Sequence, residues 1–206
     1  MPKNSSIKKV YNQIAEEYVA SYGYGNQMSI PALKKFLKFL PKKAQVLDVG
    51  CGGGQDSNFL LKNECVPTGI DVSKKMIAIA KRYAPTIKFA VLDVFTMSTR
   101  KKFDGIWCCR VFHHISLKDQ ERFVKKLNIL LKPGGVLYLT AVVSETMEDY
   151  ENYDSGNGGL LKKRITYKSF KQLLEKHGFK WVKFSYWRRD GKIEKKWMEV
   201  IVEKIS

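Results

Sequence analysis

The chain has few cysteines, few acidic residues and no long apolar run. Its four cysteines, Cys51, Cys65, Cys108 and Cys109, form no C-x-x-C pair, so we expect neither a disulfide framework nor a bound metal. No apolar stretch is long enough to span a bilayer, and the polar N-terminus lacks the apolar core of a signal peptide. These absences favour a cytoplasmic globular protein with reduced thiols.

Acidic residues are strongly outnumbered, because 37 Lys and Arg against 20 Asp and Glu give a net charge of +17. Such a surplus attracts nucleic acid, anionic lipid or acidic partners. The positive charge is mostly lysine scattered as pairs, whereas specific nucleic-acid contact tends to use clustered arginine with interleaved aromatic residues. The composition favours a solvated lysine-rich surface and leaves RNA binding open.

Helix-like and strand-like segments alternate along most of the chain, which is typical of an α/β sheet covered on both faces. Helices are predicted over residues 7–22, 29–40, 57–63, 73–83 and 118–131. Strands are predicted over 45–50, 66–71, 87–92, 105–109 and 136–142, with a turn at 132–135 before the fifth. The repeated order of strand, crossover helix and strand predicts a parallel sheet.

The C-terminal part departs from this alternation. A predicted helix over 167–177 precedes strands over 179–187 and 196–204, which are joined by a turn at 190–191. Two strands with so short a connection pair antiparallel. The chain is therefore expected to form a single domain, 1–206, whose mixed sheet has about seven strands.

A glycine-rich turn follows the first strand, in the order Gly50-Cys51-Gly52-Gly53-Gly54. Such a turn lets the backbone approach a cofactor closely, with the N-terminus of the next helix pointing at it. The dinucleotide fingerprint G-x-G-x-x-G is incomplete because Gln55 stands where its last glycine belongs, and the phosphate loop G-x-x-x-x-G-K-[ST] is absent. A nicotinamide cofactor is therefore disfavoured.

Three carboxylates stand at the ends of the first three strands. Asp48 would repel a pyrophosphate but would hold a cationic ammonium, directly or through water. Asp71 has the position of a ribose-binding carboxylate, and Asp93 is placed to accept a hydrogen bond from an adenine amine. Each acid alone is explained equally well as a helix cap or turn residue. Together, beside a glycine turn, they predict a crevice lined by carboxylates.

Six ordered segments carry a resemblance to a known family: DVGCGGG at 48–54, GIDVS at 69–73, LDV at 92–94, FDGI at 103–106, FHHI at 112–115 and LLKPGG at 130–135. With them the chain resembles the class I methyltransferases that use S-adenosylmethionine, over nearly its whole length. The resemblance implies a three-layer α/β sandwich with a mixed seven-stranded sheet of order 3-2-1-4-5-7-6, strand 7 being antiparallel. It also implies methyl transfer with S-adenosylhomocysteine as product.

The same resemblance implies cofactor contacts residue by residue. They are Asp48, Gly50, Cys51 and Gly52 at the methionine part, Asp71 at the ribose hydroxyls, Val72 and Met76 against the adenine, Asp93 and Val94 at the adenine amine and ring, and Cys109 or Arg110 near the amino-acid end. Tyr11 and Tyr18 are further candidates, because residues 1–40 are expected to be either a lid over the cofactor or a segment packed against the sheet.

The catalytic candidates are His114, His113 and Tyr18. The sulfonium already supplies the electrophile, so the protein must chiefly align the acceptor and exclude water. A neutral histidine could take a proton from an acceptor hydroxyl or ammonium. The small-molecule branch of the family often has a histidine at the position of His114, paired in some members with a tyrosine of the N-terminal helix. The alternative is that one histidine packs and caps the following helix.

Residues 144–165 are expected to form an insertion on the acceptor side, or else a solvated loop, because acids and tyrosines cluster there on a basic chain. A small-molecule acceptor is favoured, since no RNA-binding domain is appended. Methylation of tRNA is an alternative, suggested by the net charge and by a resemblance of 109–115 to wobble-uridine methyltransferases. Methylation of a protein or peptide and a role as a non-catalytic partner subunit are the others, and the oligomeric state is left open.

Overall fold

The computed structural model describes residues 4–22, 29–144, 153–154, 161–162, 164–188 and 196–205. Its helices are α1 (Asn4–Gln13), α2 (Ala15–Tyr22), α3 (Ile30–Leu37), α4 (Gln55–Lys62), α5 (Lys74–Tyr83), α6 (Leu117–Leu130) and α7 (Tyr167–Lys176), with a 3₁₀ turn at Phe112–His114. Its strands are β1 (Gln45–Val49), β2 (Val66–Asp71), β3 (Lys88–Val91), β4 (Phe103–Cys108), β5 (Leu131–Ser144), β6 (Tyr153–Asp154), β7 (Leu161–Lys162), β8 (Arg164–Thr166), β9 (Phe179–Arg188) and β10 (Lys196–Lys204).

The main sheet has the hydrogen-bonded order β3-β2-β1-β4-β5-β10-β9. Strands β1, β2 and β3 pair in parallel, whereas β10 lies antiparallel to both β5 and β9. With β9 and β10 as the sixth and seventh long strands, this is the predicted order 3-2-1-4-5-7-6, so the predicted α/β fold class is confirmed. The short β8 adds a parallel pairing to β5, and β6 and β7 form a separate two-stranded sheet.

Three local predictions need comment. The predicted helix over 7–22 is bent at Ile14, although hydrogen bonds continue there from Ile14 N to Val10 O and from Tyr18 N to Ile14 O. The predicted start of the fifth strand, after a turn at 132–135, is wrong, because β5 already begins at Leu131. Within this segment Gly134 has a left-handed φ of 70°. The turn at 190–191 and most of the insertion at 144–165 lie outside the described residues.

The chain divides into two compact units, Met1–Gly105 and Ile106–Ser206. In the first unit, α5 packs on β2 and β3 through a buried apolar cluster. Its members are Cys51, Ile77, Ala80, Ala84, Ile87 and Phe89. A Cβ at Gly69 would come within 2.5 Å of the Phe89 ring, so the close approach of β2 and β3 requires glycine there. This cluster fixes the carboxyl ends of β1 and β2 relative to the start of α5.

The second unit is built on aromatic packing. Phe112 lies between Phe123 of α6 and Phe170 of α7, with ring centroids 6.0 and 5.3 Å away. Trp107 stacks on Tyr138 of β5 at 3.8 Å. Burying rings of this size supplies much of the apolar free energy of folding, roughly 25 cal/mol for each Å² removed from water.

Two further features concern the whole described chain. Cys51, Cys65 and Cys108 are buried free thiols and Cys109 is a half-buried one. Within the described ranges, no helix has both the length and the apolar composition that a membrane crossing requires.

Candidate functional site

The glycine turn after β1 is held by backbone hydrogen bonds. Gly50 N and Cys51 N both donate to Ile70 O of β2, at 2.8 and 3.0 Å. Gly52 and Gly54 have φ of 53° and 86°, in the left-handed region that favours glycine. A Cβ at Gly52 would meet nothing within 4 Å, whereas one at Gly54 would lie 2.9 Å from Phe89. The turn is therefore packed on one side, at Gly54, and open at Gly52.

Asp71, at the end of β2, is bound to this turn through its carboxylate. Its Oδ2 accepts a hydrogen bond from Gly52 N at 3.1 Å, and its Oδ1 accepts one from Ser73 N at 2.8 Å. Burial raises the pKa of the carboxyl above its ordinary value, although these backbone hydrogen bonds act in the opposite direction. Each oxygen has a second lone pair, so the carboxylate can still accept bonds from a ligand.

Asp48 is buried more deeply, with 2% of its surface exposed. Its Oδ2 accepts a hydrogen bond from Ser57 Oγ at 2.6 Å. Burial raises its pKa well above the ordinary value, and the negative charges of Asp56 and Asp71 raise it further. The charges of Asp56 and Asp71 near Asp48 favour a positively charged ligand, because such a ligand offsets their repulsion.

Cys51 contributes its backbone to the turn and its side chain to the core. The thiol belongs to the buried cluster between α5 and β3. Burial raises its pKa well above the ordinary value, and the charges of Asp48 and Asp71 act in the same direction. The thiol therefore stays protonated at neutral pH and packs as a small apolar group.

Asp93 and Val94 follow β3 at the same edge of the sheet. Leu92 N donates to Asp71 O at 2.9 Å, which ties the end of β3 to the end of β2. The Oδ1 of Asp93 accepts a hydrogen bond from Phe95 N at 3.0 Å, so this carboxylate also closes a local turn. Val94 is buried. The structure thus brings the ends of the second and third strands together, as the sequence predicts.

The N-terminal helices lie over α5 and the glycine turn. A Cβ at Gly53 would come within 2.9 Å of Val19 Cγ2, so α2 contacts the turn directly. Tyr11 and Tyr18 meet edge to face, with centroids 5.5 Å apart. They pack against a buried cluster made of Ala15, Val19, Met76 and Ile79. Met76 is therefore buried beneath these helices, whereas Val72, just before α5, is half-buried.

The candidates of the second unit follow β4. Arg110 has φ of 59°, unusual for a residue with a side chain, and its backbone N–H donates to Thr140 Oγ1 at 2.7 Å. His113 is buried and meets Trp197 edge to face at 4.8 Å. The ring of His114, which is half-buried, lies 4.1 Å from that of His113. The structure thus brings the two histidines together with Trp197 and leaves His114 the more accessible of the pair.

Three polar residues of the first unit were missed as site residues by sequence reasoning. Ser57 binds the carboxylate of Asp48, and Ser73 caps α5 by accepting from Met76 N at 3.2 Å. Asn12 of α1 accepts hydrogen bonds from Ser73 Oγ and Lys75 N. The capping rule identifies Ser73 from its place before the helix. No local rule identifies Asn12, because its partners are remote in sequence.

Residues 46–135 match the family described as a methyltransferase domain. The chain is 35% identical over 106 residues to the ubiquinone biosynthesis O-methyltransferase of Coxiella burnetii. The aligned segment covers 49% of this chain and 44% of that protein. The chain therefore spans less than half the length of this relative.

Solved structures extend the similarity over the whole chain. The [4+2]-cyclase SpnF has a TM-score of 0.82 at 17% identity, covering 99% of this chain and 97% of that one. A second solved structure is the 1,6-didemethyltoxoflavin-N1-methyltransferase of Burkholderia thailandensis, with bound 1,6-didemethyltoxoflavin and S-adenosylhomocysteine. Its TM-score is 0.77 at 19% identity, and the match covers 100% of this chain and 91% of that one. At these identities the likeness concerns the fold. Residues 46–135 are thus similar to a methyltransferase domain, and the chain as a whole has the fold of these solved proteins.

Proposed function

We propose that the protein is an S-adenosylmethionine-dependent methyltransferase that methylates a hydroxyl group of a small phenolic or quinol molecule. The observation that carries the proposal is the carboxylate of Asp71, held between Gly52 N and Ser73 N at the end of β2. It lies beside a turn whose Gly52 faces open space. A rigid carboxylate next to exposed backbone is the arrangement that a ribose and its neighbouring groups require.

In this proposal most of the residues assigned to the cofactor belong to the first unit. Asp71 accepts the ribose hydroxyls with its remaining lone pairs, and the backbone of Gly50, Cys51 and Gly52 contacts the methionine part. Asp48, whose pKa is raised chiefly by burial and further by the charges of Asp56 and Asp71, is assigned to the cationic part of the ligand. Val72, Met76, Asp93 and Val94 are assigned to the adenine, and Tyr11 and Tyr18 to a lid formed by residues 1–40.

The proposed acceptor chemistry rests mainly on histidines of the second unit. His114 is assigned as the general base, with His113 as the other candidate and Tyr18 as a catalytic partner. A phenolic hydroxyl has a pKa near 10, so a neutral histidine assists its deprotonation in the transition state. Cys109 and Arg110 are assigned to the amino-acid end of the cofactor, and residues 144–165 to the acceptor side. The O-methyltransferase activity in the relative's name supports a hydroxyl acceptor.

The cofactor assignment is tested by calorimetry with S-adenosylhomocysteine. Replacing Asp71 with Ala should weaken binding by about 1.5–3 kcal/mol, the scale of hydrogen bonds to a charged group, because the ribose loses its acceptor. Asp104→Asn is the matched control: that carboxylate also accepts a backbone N–H, from Gln45 at 2.8 Å, but at the start of β4. Unchanged affinity in Asp71→Ala would refute the role of Asp71.

The acceptor class is tested by a transfer screen with methyl-labelled cofactor. Phenols, quinols, amines, carboxylic acids and tRNA are presented separately to the purified chain. We expect label in the phenol or quinol fraction. Transfer to amines or tRNA alone would overturn the hydroxyl assignment while leaving the cofactor assignment intact.

A second candidate acceptor is RNA, and an exposed aromatic surface favours it. The side chains on this surface are Tyr167, Phe184 and Tyr186, which are 37%, 50% and 47% exposed. The ring centroid of Phe184 lies 6.3 Å from that of Tyr167 and 6.0 Å from that of Tyr186. Exposed rings on a chain of net charge +17 suit stacking of unpaired bases. Binding to tRNA that falls steeply with salt and weakens in Phe184→Ala would support it. Absence of such binding would remove this candidate.

A further inference from the structure

Asn12, near the end of α1, makes two hydrogen bonds to the beginning of α5. Its Oδ1 accepts from Ser73 Oγ at 2.8 Å and from Lys75 N at 3.1 Å. The first N–H groups of a helix have no partner within it, so a side chain from elsewhere that accepts one of them acts as an external cap. Asn12 thereby fixes the N-terminal helices to one defined point of the first unit.

The same point carries the proposed ribose carboxylate. Ser73 donates its hydroxyl hydrogen to Asn12, accepts at that oxygen from Met76 N at 3.2 Å, and donates its own N–H to Asp71. Asp71 in turn accepts from Gly52 N at 3.1 Å. A continuous set of hydrogen bonds thus joins Asn12, Ser73, Asp71 and Gly52, from α1 to the glycine turn.

Apolar contacts connect the same two regions. Val19 of α2 abuts Gly53, where a Cβ would come within 2.9 Å of it. Ala15 and Val19 pack against Met76 and Ile79 of α5. The ion pair between Glu16 and Arg82, at 3.1 Å, joins side chains that are 75% and 67% exposed and so adds little. Asn12 therefore adds directional hydrogen bonds to apolar contacts, which are non-directional.

We propose that Asn12 is a positioning residue that couples the seating of the N-terminal helices to the geometry of Asp71, so that cofactor binding and closure of these helices occur together. The inference rests on the proposed cofactor site. With Asn12 bound, Ser73 is held where its N–H meets Asp71, and α2 is held against the glycine turn. Coupling between two sites is reciprocal, so a ligand at Asp71 stabilises the seated helices by the same factor.

The test compares Asn12→Ala with Asn12→Asp, and uses Gln13→Ala, an exposed neighbour on the same helix, as the control. The alanine variant loses both accepted hydrogen bonds, so S-adenosylhomocysteine should bind roughly five- to thirtyfold more weakly, as for the loss of one or two net hydrogen bonds. The aspartate variant keeps the acceptor, and its charge suits a helix N-terminus, so its affinity should stay within about threefold of wild type.

Hydrogen exchange measures the ligand-dependent protection of amides, which a purely structural role of Asn12 would not change. In the wild-type chain, S-adenosylhomocysteine should slow amide exchange in residues 4–22 as well as in the glycine turn. In Asn12→Ala the turn should still be protected at saturating ligand, whereas the added protection of 4–22 should be lost. In kinetic assays the KM for the cofactor should rise while kcat is retained, because Asn12 does not touch the acceptor.

The outcomes separate this inference from the proposed function. Equal affinity and equal ligand-dependent protection in Asn12→Ala and wild type would overturn the coupling alone. An aspartate variant as weak as the alanine variant would also overturn it, because the accepted hydrogen bonds would then not be the cause. Failure of the wild-type chain to bind S-adenosylhomocysteine would overturn both the proposed function and the coupling.

Discussion

In the unit Met1–Gly105, carboxylates and backbone N–H groups meet in hydrogen bonds around the glycine turn, whereas in Ile106–Ser206 the two candidate histidines pack ring against ring. Asp71 binds Gly52 N and Ser73 N, and Asp48 binds Ser57. His113 instead lies between His114 and Trp197. In the proposed function the first arrangement binds a ligand that carries hydroxyl groups and a positive charge, whereas the ring contacts of the second position the proposed base.

In the proposed function the two units therefore constrain their ligands differently. The backbone amides of the glycine turn and the carboxylate of Asp71 present one polar geometry, which the proposed cofactor must match. Rings that pack edge to face define a shape without defining which atom reacts. Two structural neighbours with this fold are named as an N1-methyltransferase and a [4+2]-cyclase, so the fold alone does not define the reaction.

The largest expected effect would separate the roles of the two units. His114→Gln should lower kcat by about 10²–10⁴-fold, the usual contribution of a positioned general base, and should leave S-adenosylhomocysteine affinity unchanged. Steady-state kinetics with the acceptor found in the transfer screen, together with calorimetry, measures both quantities.

His113→Gln is the matched variant for this prediction. Because His113 is buried against Trp197, its replacement should lower the unfolding temperature more than it lowers kcat. The opposite pattern, with kcat lost in His113→Gln and kept in His114→Gln, would transfer the proposed base to His113. Unchanged kcat in both variants would mean that the reaction uses no histidine base.

The next effect concerns the packing of the glycine turn. Gly54→Ala should destabilise the fold by about 2–4 kcal/mol. The alanine would have to adopt a left-handed backbone conformation, and its Cβ would lie only 2.9 Å from the Phe89 ring. Gly134→Ala, in the second unit, has a similar φ of 70° but meets nothing within 4 Å. It should cost only about 1–2 kcal/mol. Urea denaturation of both variants measures the difference, and equal losses would show that crowding at Gly54 is relieved elsewhere.

The smallest effect is a pH dependence centred on Asp48. Because burial raises its pKa in the folded state above the ordinary 3.8, the folded state binds the proton more tightly than the unfolded state. This contribution to stability is present at acid pH and is lost as pH rises through the folded pKa. Asp48→Asn should therefore gain stability relative to wild type between pH 4 and 7.5, measured as a growing difference in unfolding temperature. A difference that is constant with pH would contradict a raised pKa.

Much of the first unit follows from sequence because its signals are local. The end of β2 at Asp71 and the turn at Gly50–Gly54 are marked by residue type. The strand order was implied by the family resemblance and not by these local signals. The start of β5 could not be predicted, since Pro133 and Gly134 are turn residues by local preference. The bend at Ile14 has no glycine or proline to mark it.

The sequence by itself determined the α/β fold and the three acids at the strand ends, because hydrophobic period and glycine position act over a few residues, whereas the sheet order was implied only by the family resemblance. Only the tertiary structure decided how those acids are used. It buried Asp48 on Ser57, placed Asp71 between two backbone amides and brought Asn12 to the start of α5. The physical reason is that burial and hydrogen bonding depend on neighbours remote in the chain, and these are defined only once the elements have packed.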